Sequence, residues 1–275
     1  MSRAKRDVIP GFGLTMGFTL AYLSLIVLLP LSMLALWLFR ISPERAWQTL
    51  TSSRTVAAFG LSAGGALIAA VINGVFGTLV AWVLVRYRFP GRRVLDALVD
   101  LPLALPTAVA GIALTAVYAP NGILGVYLER IGIQAAYSRL GVVLAMLFVG
   151  VPFVVRSVQP VLADLDADQE EAASVLGASR IKTFVYVHLP AIAPAVLSGV
   201  AIAFARGLGE YGSVVFISGN MPGRTEIAPL LIMTRLEEFD YAAASVLAVA
   251  MLAVSFAMLL AINFLQTRSR RDAIA

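Results

Sequence analysis

The chain has 275 residues, of which 60% are hydrophobic and 13% charged, with a formal net charge of +5, no cysteine and a single histidine. A soluble domain carries roughly 25% charged residues, so this composition points to a lipid bilayer. The missing cysteines exclude disulfides and thiolate metal sites, and one histidine argues against a histidine-built metal centre. The basic excess sits in short clusters between apolar runs, where it reads as a topology signal and not as a nucleic-acid surface.

Met1 to Asp7 is a basic head containing Arg3, Lys5 and Arg6. Gly11 to Phe39 follows without a charge, far longer than the apolar core of about 7–15 residues in a signal peptide. A spanning helix needs about 20 largely apolar residues. On that measure the sequence predicts six spanning helices, at about 11–39, 55–85, 102–118, 140–156, 192–217 and 242–267. The uncharged run Leu101 to Leu128 is punctuated by Pro102, Pro106 and Pro120, so the third helix ends at about 118 and 119–139 reads as an outside loop. No soluble domain, linker or internal repeat is visible, so the expectation is an all-α integral membrane fold, a six-helix bundle.

Orientation follows from the bases. The head, the second loop (Arg86, Arg88, Arg92, Arg93), the fourth (Arg156, Arg180, Lys182) and the tail (Arg268, Arg270, Arg271) hold thirteen Lys and Arg. The other loops hold seven: Arg40, Arg45, Arg54, Arg130, Arg139, Arg224 and Arg235. The positive-inside rule puts both termini in the cytoplasm.

The fourth loop carries the longest polar-flanked stretch, Glu171 to Pro190. Asp164, Asp166, Asp168, Glu170 and Glu171 lead into it, and Arg180 and Lys182 follow. Acids first and bases last suit the helix macrodipole, which predicts a short helix over about 168–182, ended by Pro190. Leu176, Ile181 and Phe184 supply an apolar face beside the flat patch of Ala172, Ala173 and Gly177, as a docking element for a partner protein would.

Arg206 and Glu210 are charges inside an apolar run. They stand four apart on one helix face, and such groups face a bundle interior or an aqueous path. A pair that fixes packing and a cavity lining that meets a charged solute both remain open. Leu101 to Thr107 should be bent, because Pro102 and Pro106 each remove a backbone donor; helix-start geometry and pathway lining are the alternatives. Asn73 reads as an interhelical hydrogen bond, and the acids Glu226, Glu237, Glu238 and Asp240 as solvated or as contacts for an outside partner. Gly60-x-Ser62-x-Gly64 matches a nucleophile elbow, but it lies in a membrane helix far from His188, the only histidine. It reads instead as a G-x-x-x-G packing face. The two lysines, Lys5 and Lys182, form no phosphate-binding loop, so any ATPase must be another chain.

Glu171, Ala172, Ala173, Gly177, Val187, Leu189 and Pro190 match in spacing the EAA signature of type I ABC-importer permeases, with Val187 where isoleucine is usual. Leu101–Asn121, Ala205–Glu226 and Glu237–Tyr241 are similar to the T-type permease subunits of sulfate and thiosulfate importers. The resemblance implies a six-helix permease in the bacterial inner membrane. It implies a second, related permease chain, two ATP-binding subunits that hold the ATP and magnesium, and an extracytoplasmic sulfate- or thiosulfate-binding protein. It assigns Glu171 to Gly177, with Leu189 and Pro190, to the coupling segment, and leaves Arg206, Glu210, Tyr211, Pro102, Pro106 and Thr107 as candidates for the pathway or gate. A molybdate or tungstate permease is the alternative in the same class, and a stand-alone secondary anion transporter the alternative outside it.

Overall fold

The computed structural model of the protein describes residues 12–38 and 40–272; the basic head, Gly11, Phe39 and residues 273–275 lie outside it. The described residues form helices and no strands. Helix α1 spans Phe12–Leu38, α2 Pro43–Thr51, α3 Ser53–Arg86, α4 Arg92–Val99, α5 Leu101–Ala104, α6 Thr107–Tyr118 and α7 Gly125–Arg130. Helix α8 spans Arg139–Ala163, α9 Ala167–Val175, α10 Arg180–Leu208, α11 Gly212–Ile217, α12 Ala228–Glu237 and α13 Tyr241–Asp272. Helices α1, α3, α8, α10 and the Tyr241–Ala261 part of α13 are long and apolar enough to cross a membrane, and α6 is a shorter apolar helix.

Helices α3, α8 and α10 pack mutually at the centre. Between lipid-facing helices there is no hydrophobic drive, so small residues that let backbones approach decide the contact. Ala66, Ala69, Ala70 and Ala81 of α3 are buried there against Val142, Ala145 and Val154 of α8 and Ala203 of α10. A Cβ on Gly77 would fall 2.9 Å from Val154 Cβ, and one on Gly199 2.7 Å from Val154 Cα. Asn73 adds the expected interhelical bond, donating from Nδ2 to Leu147 O at 3.0 Å. Helix α13 flanks α10, α1 lies on α13, and on the other side α11 and α6 pack together next to α8. None of the described side chains of α1 is buried.

Several boundaries differ from the sequence expectation. The run 192–217 is not one helix: α10 stops at Leu208 and α11 begins at Gly212. The apolar sequence continues, but Gly209 and the capping carboxylate of Glu210 end one helix and start the next. The 168–182 helix is also two pieces, because Gly177 adopts φ +77° after α9. Glycine reaches that left-handed region without steric penalty and closes helices there. Arg180 then opens α10, so Pro190 ends nothing. Instead a π turn at Phe184–His188 precedes Pro190, as another at Ser24–Leu28 precedes Pro30. The wider turn makes room for a ring that would otherwise meet the carbonyl four residues back. Expected loops hold helices of their own: α2, α4, α7 and α12. Helix α12 packs on α13 and α3.

Gly60 and Gly64 meet no other helix of this chain. A Cβ at either has nothing within 4 Å, whereas one on the neighbouring Gly65 would be 3.3 Å from Met146 Sδ. Ser62 is fully buried and its hydroxyl accepts from Ala228 N at 2.8 Å, which ties α12 to α3. The acids Glu226, Glu238 and Asp240 are not merely solvated. Arg54 grips Glu226 bidentately (2.8 and 2.7 Å), Arg235 meets Glu238 at 2.7 Å, and Arg45 meets Asp240 at 3.1 Å.

Candidate functional site

The break between α10 and α11 gathers most of the candidate pathway residues. Arg206 sits in the last turn of α10, and its guanidinium meets Glu210 Oε2 at 2.7 Å. The other oxygen of Glu210 accepts from Ser213 N at 2.9 Å and from Ser213 Oγ at 2.8 Å. A carboxylate over the first N–H groups of a helix satisfies orphan donors and the positive dipole end. Glu210 is therefore the cap of α11, with a side chain 1% exposed, while the Arg206 side chain stays 39% exposed. Of the two readings open for this pair, Glu210 takes the structural one. Arg206 keeps donors facing outward.

Thr107 comes to the same place from another element. Helix α5 contains Pro102 at its second residue, and the backbone then goes extended at Leu105 and Pro106 before Thr107 opens α6. That interruption aims the start of α6 at the start of α11. A Cβ on Gly212 would run into the Thr107 hydroxyl, and one on Gly111 into the Ser213 carbonyl. Pro106, Tyr211, Val109 and Ile112 are exposed beside it. Pro102 stands apart, on a helix that packs against α8. Below it Arg156 holds Asp100 (2.8 and 2.5 Å) and Asp96 (2.6 Å), and Gln159 donates to Asp96 at 3.1 Å. The Gln159 amide, and after it the Arg156 guanidinium, hold the Asp96 carboxyl below the usual carboxylate range. The network anchors α4 and α5. Its signal was Arg156, a charge at the end of an apolar run.

The coupling candidates lie at the bundle end that carries α4 and α9. Glu171 and Ala172 are exposed, Ala173 is half-buried, and Val175 and Leu176 are each 87% exposed. Ile181, across the Gly177 turn, is 77% exposed. Three apolar side chains and an open glycine thus stand clear of the bundle. Leu189 and Pro190 are exposed on the first turns of α10 after its π turn.

The loop is tied to the bundle by a residue that sequence reasoning did not single out. Glu170 Oε1 lies 2.8 Å from His188 Nε2 and 3.3 Å from Arg86 Nη2. His188 is 3% exposed and packs edge-on to Trp82 with ring centroids 5.2 Å apart. Arg86 stands 5.3 Å over the same indole, and Phe184 is 5.2 Å from it. One carboxylate of α9 therefore touches the end of α3 and the π turn of α10. The partners stand 84 and 18 positions away in the chain, so only their charges were visible beforehand.

Residues 73–273 match the family described as "Binding-protein-dependent transport system inner membrane component". The chain belongs to that family. It is 48% identical over 271 residues to the Salmonella typhimurium protein named "Sulfate transport system permease protein CysT", covering 98% of each chain. It is 50% identical over 253 residues to a Nephroselmis olivacea protein named "Probable sulfate transport system permease protein cysT", covering 92% of this chain and 89% of that one. Among solved structures it is similar to a chain of the "bacterial alginate ABC transporter in complex with alginate pentasaccharide-bound periplasmic protein". There the TM-score is 0.77 with 16% identity, covering 97% and 98% of the two chains. That likeness supports the permease fold. As a family member the chain is a multi-helix permease of the inner membrane, built on the type I ABC-importer plan.

Proposed function

We propose that the chain is the membrane-spanning subunit of an ATP-driven importer of sulfate and thiosulfate. On this reading it pairs with a second, related permease, two ATP-binding subunits and an extracytoplasmic binding protein. Both termini and α9 face the cytoplasm, on the count of thirteen Lys and Arg against seven. The near full-length identity to sulfate permeases supports the substrate class. The observation that carries the reading is mechanical: Val175, Leu176 and Ile181 stand exposed beside Gly177, on a loop tied inward through Glu170. An ATPase docked on that face pulls on α9, and Glu170 passes the pull to α3 and α10.

The bundle then alternates between inward and outward access, with ATP and magnesium held by the ATPases. Arg206, exposed at the α10–α11 break, attracts the anion, while the Glu210 carboxylate beside it tempers that attraction. A solute must also leave, so a weak, partly neutralised site suits transport better than a tight one. The second permease closes the open face of Arg206, Pro106 and Tyr211.

The test is uptake of labelled sulfate by the assembled complex in proteoliposomes, competed by thiosulfate, molybdate and tungstate. Competition by thiosulfate with molybdate and tungstate inert supports the reading. Uptake of molybdate in preference to sulfate overturns the substrate. Uphill uptake by this chain without nucleotide or companion subunits overturns the mechanism.

A further inference from the structure

Seven arginines stand at the bundle end that carries α2 and α12. Arg45, Arg54 and Arg235 are paired with Asp240, Glu226 and Glu238. Arg40 lies 4.8 Å over Trp37, and Arg130 lies 5.7 Å over Tyr127. Among the described residues, Arg139 and Arg224 alone of the seven have neither a carboxylate nor a ring, and these two line the same cavity.

The cavity has a volume of about 360 Å³ and is walled by Gly60, Gly64, Gly65 and Val143, with no acid on its lining. The open space above Gly60 and Gly64 is part of it. Both arginines are carried by ordered supports. Arg139 is the first residue of α8, after Ser138, whose hydroxyl accepts from Leu140 N and Gly141 N at 3.1 and 3.3 Å. Arg224 sits in a tight turn where Met221 O accepts from the N–H groups of residues 224, 225 and 226 at 3.0–3.1 Å. Met221 N in turn donates to Thr225 Oγ1 at 2.9 Å. The Nε of Arg139 is spent on Arg224 O at 3.1 Å, which fixes the two residues against each other and directs the terminal nitrogens elsewhere. The site also neighbours the break: Gly65 adjoins Ala66, whose Cβ would lie 3.4 Å from a Cβ on Gly207.

Two guanidiniums over an apolar floor are the chemistry of oxyanion recognition, since planar N–H forks match tetrahedral oxygens and the low-dielectric wall strengthens the charge. We propose that this cavity is a receiving site for a tetrahedral oxyanion group, either free sulfate on its way to the break at Arg206 or the phosphate of a lipid headgroup. Free sulfate as the source rests on the import reading above.

The experiment uses the assembled importer, purified with the wild-type chain, with R139Q/R224Q and with R139K/R224K. Binding of radiolabelled sulfate in lipid-depleted detergent is measured by equilibrium dialysis, retained phosphatidylglycerol by mass spectrometry, and sulfate uptake in proteoliposomes. Sulfate binding weakened about tenfold in R139Q/R224Q and largely restored in R139K/R224K assigns the site to the free anion. Unchanged sulfate binding with loss of retained phosphatidylglycerol assigns it to lipid. Neither change overturns the site, and with intact uptake the sulfate reading still stands. A wild-type complex that takes up no sulfate overturns that reading instead, and lipid retention still decides the site. Should the double variant fail to assemble, R224Q alone, at an exposed side chain, carries the same readouts, with about a threefold loss expected.

Discussion

The two ends of the molecule are built on opposite plans. At the α12 end, ion pairs link elements far apart in the chain: Arg54 to Glu226, Arg45 to Asp240, with the Ser62 hydroxyl holding α12 to α3. At the α9 end, Val175, Leu176 and Ile181 stand almost fully exposed, and α9 is held through Glu170 to Arg86 and His188. The first end is pinned by pairs that reach across the chain. The second also has such pairs, Arg156 to Asp96 and Asp100, but it leaves Val175, Leu176 and Ile181 unpaired and ties α9 to the bundle through one carboxylate. The difference teaches where stability and where function should respond to mutation.

The largest expected effect breaks the packed side of that comparison. Gly111→Leu drives a side chain into the Ser213 backbone and forces α6 off α11, so thermal unfolding of the purified complex should show a loss of more than about 3 kcal/mol. Glu226→Ala comes next. It strands Arg54 and empties a buried position, and a loss of about 3 kcal/mol is expected by the same measurement. An unchanged melting curve would show that the α12 end is not fixed by its pairs.

Gly177→Asp probes the other end. A side chain there meets nothing within 4 Å, and the left-handed backbone penalty is only about 1–2 kcal/mol, local to the turn. The chain should therefore keep its fold while co-purification with the ATPase drops at least about tenfold, a loss that the docked partner alone explains. Undiminished assembly counts against the docking role. Glu170→Gln should leave assembly and ATP hydrolysis intact while uptake falls several-fold, because the pull reaches α9 but is not passed on. Equal loss of hydrolysis and uptake would reduce Glu170 to a structural residue.

The smallest effect is at Asp96. Its folded pKa lies below the unfolded value, so its contribution is present above the ordinary carboxylate range and fades as pH falls through the folded value. The side chain is 44% exposed, so Asp96→Asn should cost less than about 1 kcal/mol at neutral pH and less still in acid.

Five of the six expected spans were legible because each is a long, largely apolar run, and bilayer thickness sets a length that sequence displays directly; the third is shorter, Thr107–Tyr118, after the Pro106 interruption. The break at Gly209–Tyr211 shows in the sequence only as a weak point, Gly207, Gly209 and Gly212 within the run from Ile192 to Ile217, because the evidence for a full helix end is a cap: Glu210 followed three residues later by Ser213. Helix α12 was missed because ten residues fall far short of a span and its anchor, Ser62, is 166 positions away. Of the candidate pathway residues, the structure joins Arg206, Glu210, Tyr211 and Thr107 at one place and leaves Pro102 elsewhere. The spacing that marks Glu171 to Pro190 pointed to the loop that stands exposed but said nothing of Glu170, whose meaning depends on two side chains brought close only by folding.

The π turn at Phe184–His188 has a mechanical corollary. It stores one surplus residue in the helix, and one residue corresponds to about 100° of azimuth in an α-helix. The segment leading back to Arg180 is thus set about a quarter-turn out of phase with the apolar rod beyond Pro190. Deleting Val185 would restore regular winding and swing Phe184 and the preceding loop to another bearing, so one residue here sets the direction in which the exposed side chains of that loop face.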